Sequence, residues 1–321
     1  MLRPLATQPM PKELLVGLEI ADDAAVYAVA PDVAIVQTVD FFPPIVDDAY
    51  ASGQIGAANS MSDVYAMGGE VLFALNVAAW PEDVSTDLLE RLFAGAVDKV
   101  REAGGVVAGG HTIIDTEPKF GQSVTGRVDP KHMLLKQHLR PGDELWLTKP
   151  IGTGLLTTAH KRQLITPEDL ASAVASMAAL NRGAARAAVE AGLHAGTDIT
   201  GFGLAGHAHE MAERSAAQVR IDASAVPLLP GARAHAETGV DFGGMRRNRE
   251  HFLDGGRVRF DGLDEATTLL MLDPQTSGGL LLGVPRAHRT DFESACAAHE
   301  VHAVPIGDVA AGSGVVITRG G

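Results

Sequence analysis

The sequence predicts a mixed α/β fold divided into two domains, and three observations carry that reading. Short β-branched or alternating runs such as AAVYAVA and VAIVQTV alternate with segments of helical period. A Pro-Gly-Asp turn at residues 141–143 interrupts the chain near its middle, and a fresh strand and a second glycine-rich loop follow it. Finally, 321 residues of 46% hydrophobic composition can bury two cores. The expected domains are residues 1–143 and 144–321.

Taken in order, AAVYAVA and VAIVQTV flank a Pro-Asp turn and predict a hairpin. Residues 49–67 read as a helix stopped by Gly68-Gly69. VLFALNVAAW is a buried strand, and Ser85 caps a helix running to about Glu102, with Leu88, Leu89, Leu92, Ala96 and Val97 on one face. VVAGGHT reads as strand then glycine loop, and SVTGRVD as another strand. In the second half, a strand and glycine-rich loop precede a helix over 167–190, a loop bearing Asp198, a helix over 203–214 and a strand over 218–222. DPQTSGGLLLGV supplies a loop and strand, residues 286–299 a helix, and 301–307 and 314–318 the closing strands.

A formal net charge of -14 argues against a nucleic-acid backbone or an anionic membrane as partner. No apolar run approaches the roughly 20 residues that span a bilayer. The N-terminal stretch has no continuous apolar signal core. Cys296 is the only cysteine, so an intramolecular disulfide and a thiolate metal cluster are excluded. A cytoplasmic protein is expected.

Against that background, several aspartates stand in apolar or glycine-rich surroundings: Asp22 and Asp23 in ADDAAVY, Asp40 in IVQTVDFFPPIVDD, Asp63 in NSMSDVYAMGG and Asp198 in GTDITGFGLAGH. A buried carboxylate without a partner protonates or binds a metal. In an extended backbone, Asp22 and Asp23 point to opposite faces and do different work; a turn pair before a strand is the plain alternative. Asp40 falls at the C-terminal end of a strand, where ligand sites of α/β folds lie. Asn59 and Asp63 share one helix face at i, i+4. Gly109-Gly110-His111-Thr112 allows positive φ and close backbone approach to an anion. Lys149 reads equally as a phosphate contact or a surface residue. The P-loop pattern GxxxxGK[ST] is absent, and none of the twelve histidines forms an HExxH motif.

Four aspartates around a triphosphate would gather about eight negative charges, each pair near 4 Å costing on the order of 4 kcal/mol at an effective dielectric of 20. Bound cations must offset this. Mg2+ fits, because it takes few carboxylates and completes its shell with phosphate oxygens. The residues by themselves point to a Mg-nucleotide enzyme.

LLVG-x-E-x-x-DDAAVY, QTVDFFPPIVDD, AANSMSDVYAMGG, AGGHTI, LTKPIGTGLLTTA, TDITGFGLAGH and DPQTSGGLLL, in this order along nearly the whole chain, resemble selenophosphate synthetase (selenide, water dikinase). DDAAV and SDxxAMG are also similar to thiamine-monophosphate kinase and the wider aminoimidazole-ribonucleotide-synthetase superfamily; DFFPPIVDD and DPQTSGGLL point to the selenium enzyme. The resemblance implies an N-terminal α/β domain that dimerises through its sheet into a barrel, and a C-terminal α/β domain. It implies Asp23, Asp63 and Asp198 as Mg2+ ligands. Ile20, Ala21, Asp22, Asp40, Asp63, Gly110, His111 and Thr112 would be the ATP contacts. The implied reaction turns ATP, selenide and water into selenophosphate, AMP and orthophosphate, as phosphoryl transfer by positioning and charge neutralisation.

The family's glycine-rich loop, with its Cys or selenocysteine and nearby lysine, has no counterpart ahead of Leu14-Leu15-Val16-Gly17. Neither Cys296 nor Lys12 matches it, so no catalytic residue is assigned. The expectation is a shortened chain with little selenide-dependent turnover. A nucleotide-binding paralogue without selenide activity and a small-molecule kinase such as thiamine-monophosphate kinase are the alternatives.

Overall fold

The first eight elements are β1 (Leu14–Val16), β2 (Ala25–Ala30), β3 (Val33–Phe42), α1 (Ala49–Ala66), β4 (Glu70–Trp80), α2 (Thr86–Glu102), β5 (Val106–Ile114) and β6 (Lys119–Val128). The computed structural model describes residues 10–19 and 21–320. The six strands make one sheet in the order β1-β2-β3-β6-β4-β5. The β2–β3 hairpin turns at Pro31-Asp32 as expected, pairing Ala28 with Ala34.

Strand alternation divides this sheet into two faces. Ala34, Val36, Thr38 and Asp40 of β3 point to the side covered by α1 and α2, while Gln37, Val39 and Phe41 point to an open side. Asp48 caps α1, accepting from the Ala51 N–H at 2.7 Å. Helix α1 is buried on nearly every side, because it packs on the six-stranded sheet and also against elements of the second half. Gly53 permits this crowding: a Cβ there would lie 1.8 Å from the Leu92 carbonyl of α2.

The second half contributes β7 (Glu144–Leu147), α3 (Thr153–Lys161), α4 (Pro167–Ala178), α5 (Arg182–Glu190), β8 (Ala195–Asp198), α6 (Gly203–Ser215) and β9 (Gln218–Asp222). It continues with α7 (Ala232–Glu237), α8 (Gly243–Asn248), β10 (Val258–Asp261), α9 (Glu265–Leu272), β11 (Leu280–Val284), α10 (Arg289–Ala298), β12 (Val304–Ala310) and β13 (Gly314–Thr318). Its seven-stranded sheet has the order β10-β13-β9-β12-β7-β11-β8.

Three expectations need correction. The single helix over 167–190 is two helices, since Ala179 is extended and its carbonyl is taken by Lys149 Nζ at 2.7 Å. The glycine-rich loop after Lys149 holds helix α3, whose first N–H groups are met from a distance: Gln275 Oε1 accepts from Gly152 and Thr153 N–H at 2.9 and 3.0 Å. Gly109–Thr112 is not a loop but the middle of β5, running parallel to β4. The glycines are still needed there. Gly109 and Gly110 have φ of 145° and 159°, and a Cβ on Gly110 would lie 2.2 Å from the Asn76 carbonyl.

Candidate functional site

Where α1, the 22–23 segment and β8 converge, the structure gathers Asp22, Asp23, Asp40, Asp63 and Asp198. Asp63 sits one helical turn beyond Asn59 on α1 and accepts a hydrogen bond from Thr38 Oγ1 at 2.5 Å. Burial raises its pKa well above the usual carboxylate range, and Asp198, Asp23 and Asp40 raise it further. Asp198 ends β8 and is 1% exposed. It accepts from Ser62 Oγ at 2.5 Å, and burial, followed by the Asp23 charge, pushes it up to about 6. Asp40 accepts from Asn59 Nδ2 at 2.8 Å, and burial raises it too.

Asp22 and Asp23 meet different partners. Asp22 accepts the N–H of Asp23 at 2.9 Å and that of Lys136 at 3.0 Å; burial, then the Asp23 charge, pushes it up to about 7. Asp23 Oδ1 meets Lys136 Nζ at 2.7 Å and accepts from Thr197 Oγ1 at 3.0 Å, while its Oδ2 is buried with no partner. Beside the pair, a cavity of about 490 Å³ is lined by Leu14, Leu18, Ala21, Gln37 and Thr38 among others. Ile20 lies outside the described residues.

Sequence reasoning missed Lys136. Its side chain is 8% exposed and lies 3.3 Å from Glu210 as well as against Asp23. Burial opposes its charge, but Asp23 and Glu210 outweigh that and hold the ammonium above its ordinary value. Glu210 in turn faces His207 Nδ1 at 3.3 Å, and His207 Nε2 accepts from the Thr200 N–H at 3.1 Å. Nothing local in MLLKQHLR announces this role; only the fold brings Lys136 to residues 113 and 74 positions away.

Other candidates fall elsewhere. Lys149 is neither a surface residue nor free for phosphate: it is buried, donates to the Ala179 and Ser277 carbonyls at 2.7 and 2.8 Å, and burial lowers its pKa to about 7. Gly110 stands in one pairing row with Asp40, through Gln122 and Asn76. Three strand spacings separate the two, about 14 Å, so within one chain Gly110, His111 and Thr112 do not join the aspartates. Cys296 is buried in α10, and burial pushes its thiol up to about 11, which makes it a poor nucleophile.

The donor set is all oxygen with one buried orphan atom, which suits Mg2+. Among the described residues, no three His, Cys, Asp or Glu side chains converge into a ready metal shell. A cation here would draw further ligands from a bound phosphate.

Residues 21–128 match the N-terminal domain model of AIR synthase related proteins, and residues 140–320 the C-terminal one. The chain is 49% identical over 273 residues to selenide, water dikinase of Caldanaerobacter subterraneus subsp. tengcongensis, spanning 85% of this chain and 78% of that protein. It is 44% identical over 303 residues to the selenide, water dikinase of Myxococcus xanthus, spanning 94% and 86%. The chain belongs to the selenide, water dikinase family. Among solved structures, the family fold is shared with thiamine monophosphate kinase from Aquifex aeolicus (TM-score 0.69, 16% identity, 99% of this chain and 94% of that one). Hydrogenase maturation protein HypE in complex with ATP shares it too (TM-score 0.65, 22% identity, 88% and 82%).

No helix of the described residues is long and apolar enough to cross a membrane.

Proposed function

We propose that this selenide, water dikinase relative makes selenophosphate from selenide, ATP and water, releasing AMP and orthophosphate. The observation that carries the reading is the carboxylate cluster centred on Asp63, where burial and then the charges of Asp198, Asp23 and Asp40 raise the proton affinity of Asp63, beside the buried ammonium of Lys136. Such a cluster is unfavourable by itself and becomes favourable when cations and phosphates share it.

Asp23, Asp63 and Asp198 would hold Mg2+, which supplies charge neutralisation at the phosphate oxygens when bound. Asp22 and Ala21, beside the 490 Å³ cavity, would meet the nucleotide, with Asp40 on its phosphate side. Lys136 holds Asp23 Oδ1, leaving Oδ2 for the ligand. Residues 1–143 and 144–321 are proposed as the two domains, with α1 as their shared wall.

A homodimer is supported by the open sheet face, where Tyr27, Val39, Phe41, Leu75 and Ile113 are 39–58% exposed. Pairing two such faces would let β5 of a second copy carry Gly110, His111 and Thr112 to the aspartates.

The test is to incubate the chain with ATP, Mg2+ and selenide and follow phosphorus by NMR. Selenide-dependent selenophosphate with equal AMP and orthophosphate supports the reading. ATP turnover indifferent to selenide, or transfer to thiamine monophosphate, overturns it.

A further inference from the structure

Two buried asparagines stand behind the carboxylate cluster, Asn59 against Asp40 and Asn181 against Ser62. Asn59 is 6% exposed and Asn181 is 3% exposed. Asn59 donates through Nδ2 to Asp40 Oδ2 at 2.8 Å and accepts at Oδ1 from the Ser277 N–H at 2.8 Å. The carboxylate requires a donor and the N–H an acceptor, so this amide can face only one way.

Asn181 lies in the break between α4 and α5. Its Nδ2 donates to the Gly278 carbonyl at 2.8 Å and to Ser62 Oγ at 3.0 Å. A hydroxyl carries one hydrogen. With an N–H aimed at its lone pair, Ser62 must commit that hydrogen to Asp198, which it meets at 2.5 Å. Lys149 grips the same segment from a third side through the Ser277 carbonyl.

Ser277 itself has a φ of 48° and a buried hydroxyl without a partner. Both features oppose folding and persist only where the surroundings over-determine the backbone. Packing alone would be served by apolar side chains of similar volume. Directional amides at both positions serve orientation.

We propose that Asn59 and Asn181 are positioning residues: by gripping Ser277–Gly278 they fix Asp40 and Asp198 in one frame, Asn181 acting through the Ser62 hydroxyl. This rests on the reading that the carboxylates serve Mg-ATP.

The test is calorimetric affinity for AMPPCP with Mg2+, alongside thermal melting. Asn181→Asp keeps the shape but offers Ser62 an acceptor, turning the hydroxyl away from Asp198. Asn181→Ala and Asn181→Asp should each weaken binding roughly tenfold. In a Ser62→Ala background, Asn181→Ala should cause no further loss. Likewise, Asn59→Ala should lose its effect in an Asp40→Ala background. An undiminished Asn181→Ala effect in the Ser62→Ala background, where Asp198→Asn does weaken binding, overturns the proposal alone. If Asp40→Ala and Asp198→Asn both leave affinity unchanged, the Mg-ATP reading falls and takes the proposal with it. Should Asn181→Ala fail to fold, Ser62→Ala reads the same hydroxyl directly: a roughly tenfold loss is expected, and full affinity overturns the relay.

Discussion

Replacing Asp273 by Asn should stabilise the protein in alkaline solution and do little in acid. Asp273 is 0% exposed; its Oδ2 accepts from Gln275 Nε2 at 2.8 Å and the Gly154 N–H at 3.2 Å, while Oδ1 has no partner. Burial pushes the carboxyl up to about 8, against the lowering effect of these hydrogen bonds. A folded value above the unfolded one means that Asp273 imposes no penalty below about pH 4, that stability falls as pH rises from about 4 to about 8, and that the full penalty is in place above 8. Going from 3.8 to about 8 corresponds to a penalty on the order of 5 kcal/mol once the carboxyl ionises. Asn is isosteric and neutral, accepts the same hydrogen bonds, and leaves an unpartnered NH2 where the acid leaves an unpartnered oxygen, so that cost cancels. Urea unfolding of both proteins at pH 4, 6 and 8.5 measures the difference. Near-equality at pH 4 and a gain of several kcal/mol at pH 8.5 are expected. A gap independent of pH, or an Asn variant weaker throughout, refutes the argument that burial controls this group.

Two further predictions concern the site and the open sheet. Lys136→Met leaves Asp23 and Glu210 facing each other without their ammonium and should cost about 3 kcal/mol, read as a lower urea midpoint; an unchanged midpoint would show that the ion pair contributes nothing. Phe41→Asp places a charge on the exposed apolar face of β3 and should convert a dimer into monomers by light scattering, whereas a persisting dimer would place the interface elsewhere.

Much of the first half was legible because its signals are local. The β2–β3 hairpin has its Pro-Asp turn, α1 its glycine stop and α2 its Ser85 cap, whose side chain accepts from the Asp87 N–H. Helix α3 was illegible because its capping acceptor, Gln275, lies more than a hundred residues away. The break after Ala178 was illegible for the same reason, since Lys149 and the Gly278 carbonyl draw the chain out of helix there. GGHT looked like a loop because two glycines in a strand interior are rare, and only the crowding against Asn76 explains them. The aspartates stood out because acids are unusual in apolar segments. Their partners Lys136, Ser62, Thr197 and Thr38 are ordinary residues in ordinary settings, and tertiary contact alone gives them work.

The central claim is that the carboxylates around Asp63 form a site for a metal-bound nucleotide, and calorimetric titration of AMPPCP tests it most directly. The native chain and Asp63→Asn would each be titrated with and without Mg2+. The account predicts Mg-dependent binding by the native chain and a loss of roughly hundredfold, about 2.7 kcal/mol, in Asp63→Asn, with no fall in melting temperature. Equal affinity with and without Mg2+, or an Asp63→Asn variant that binds as well as the native chain, would contradict it.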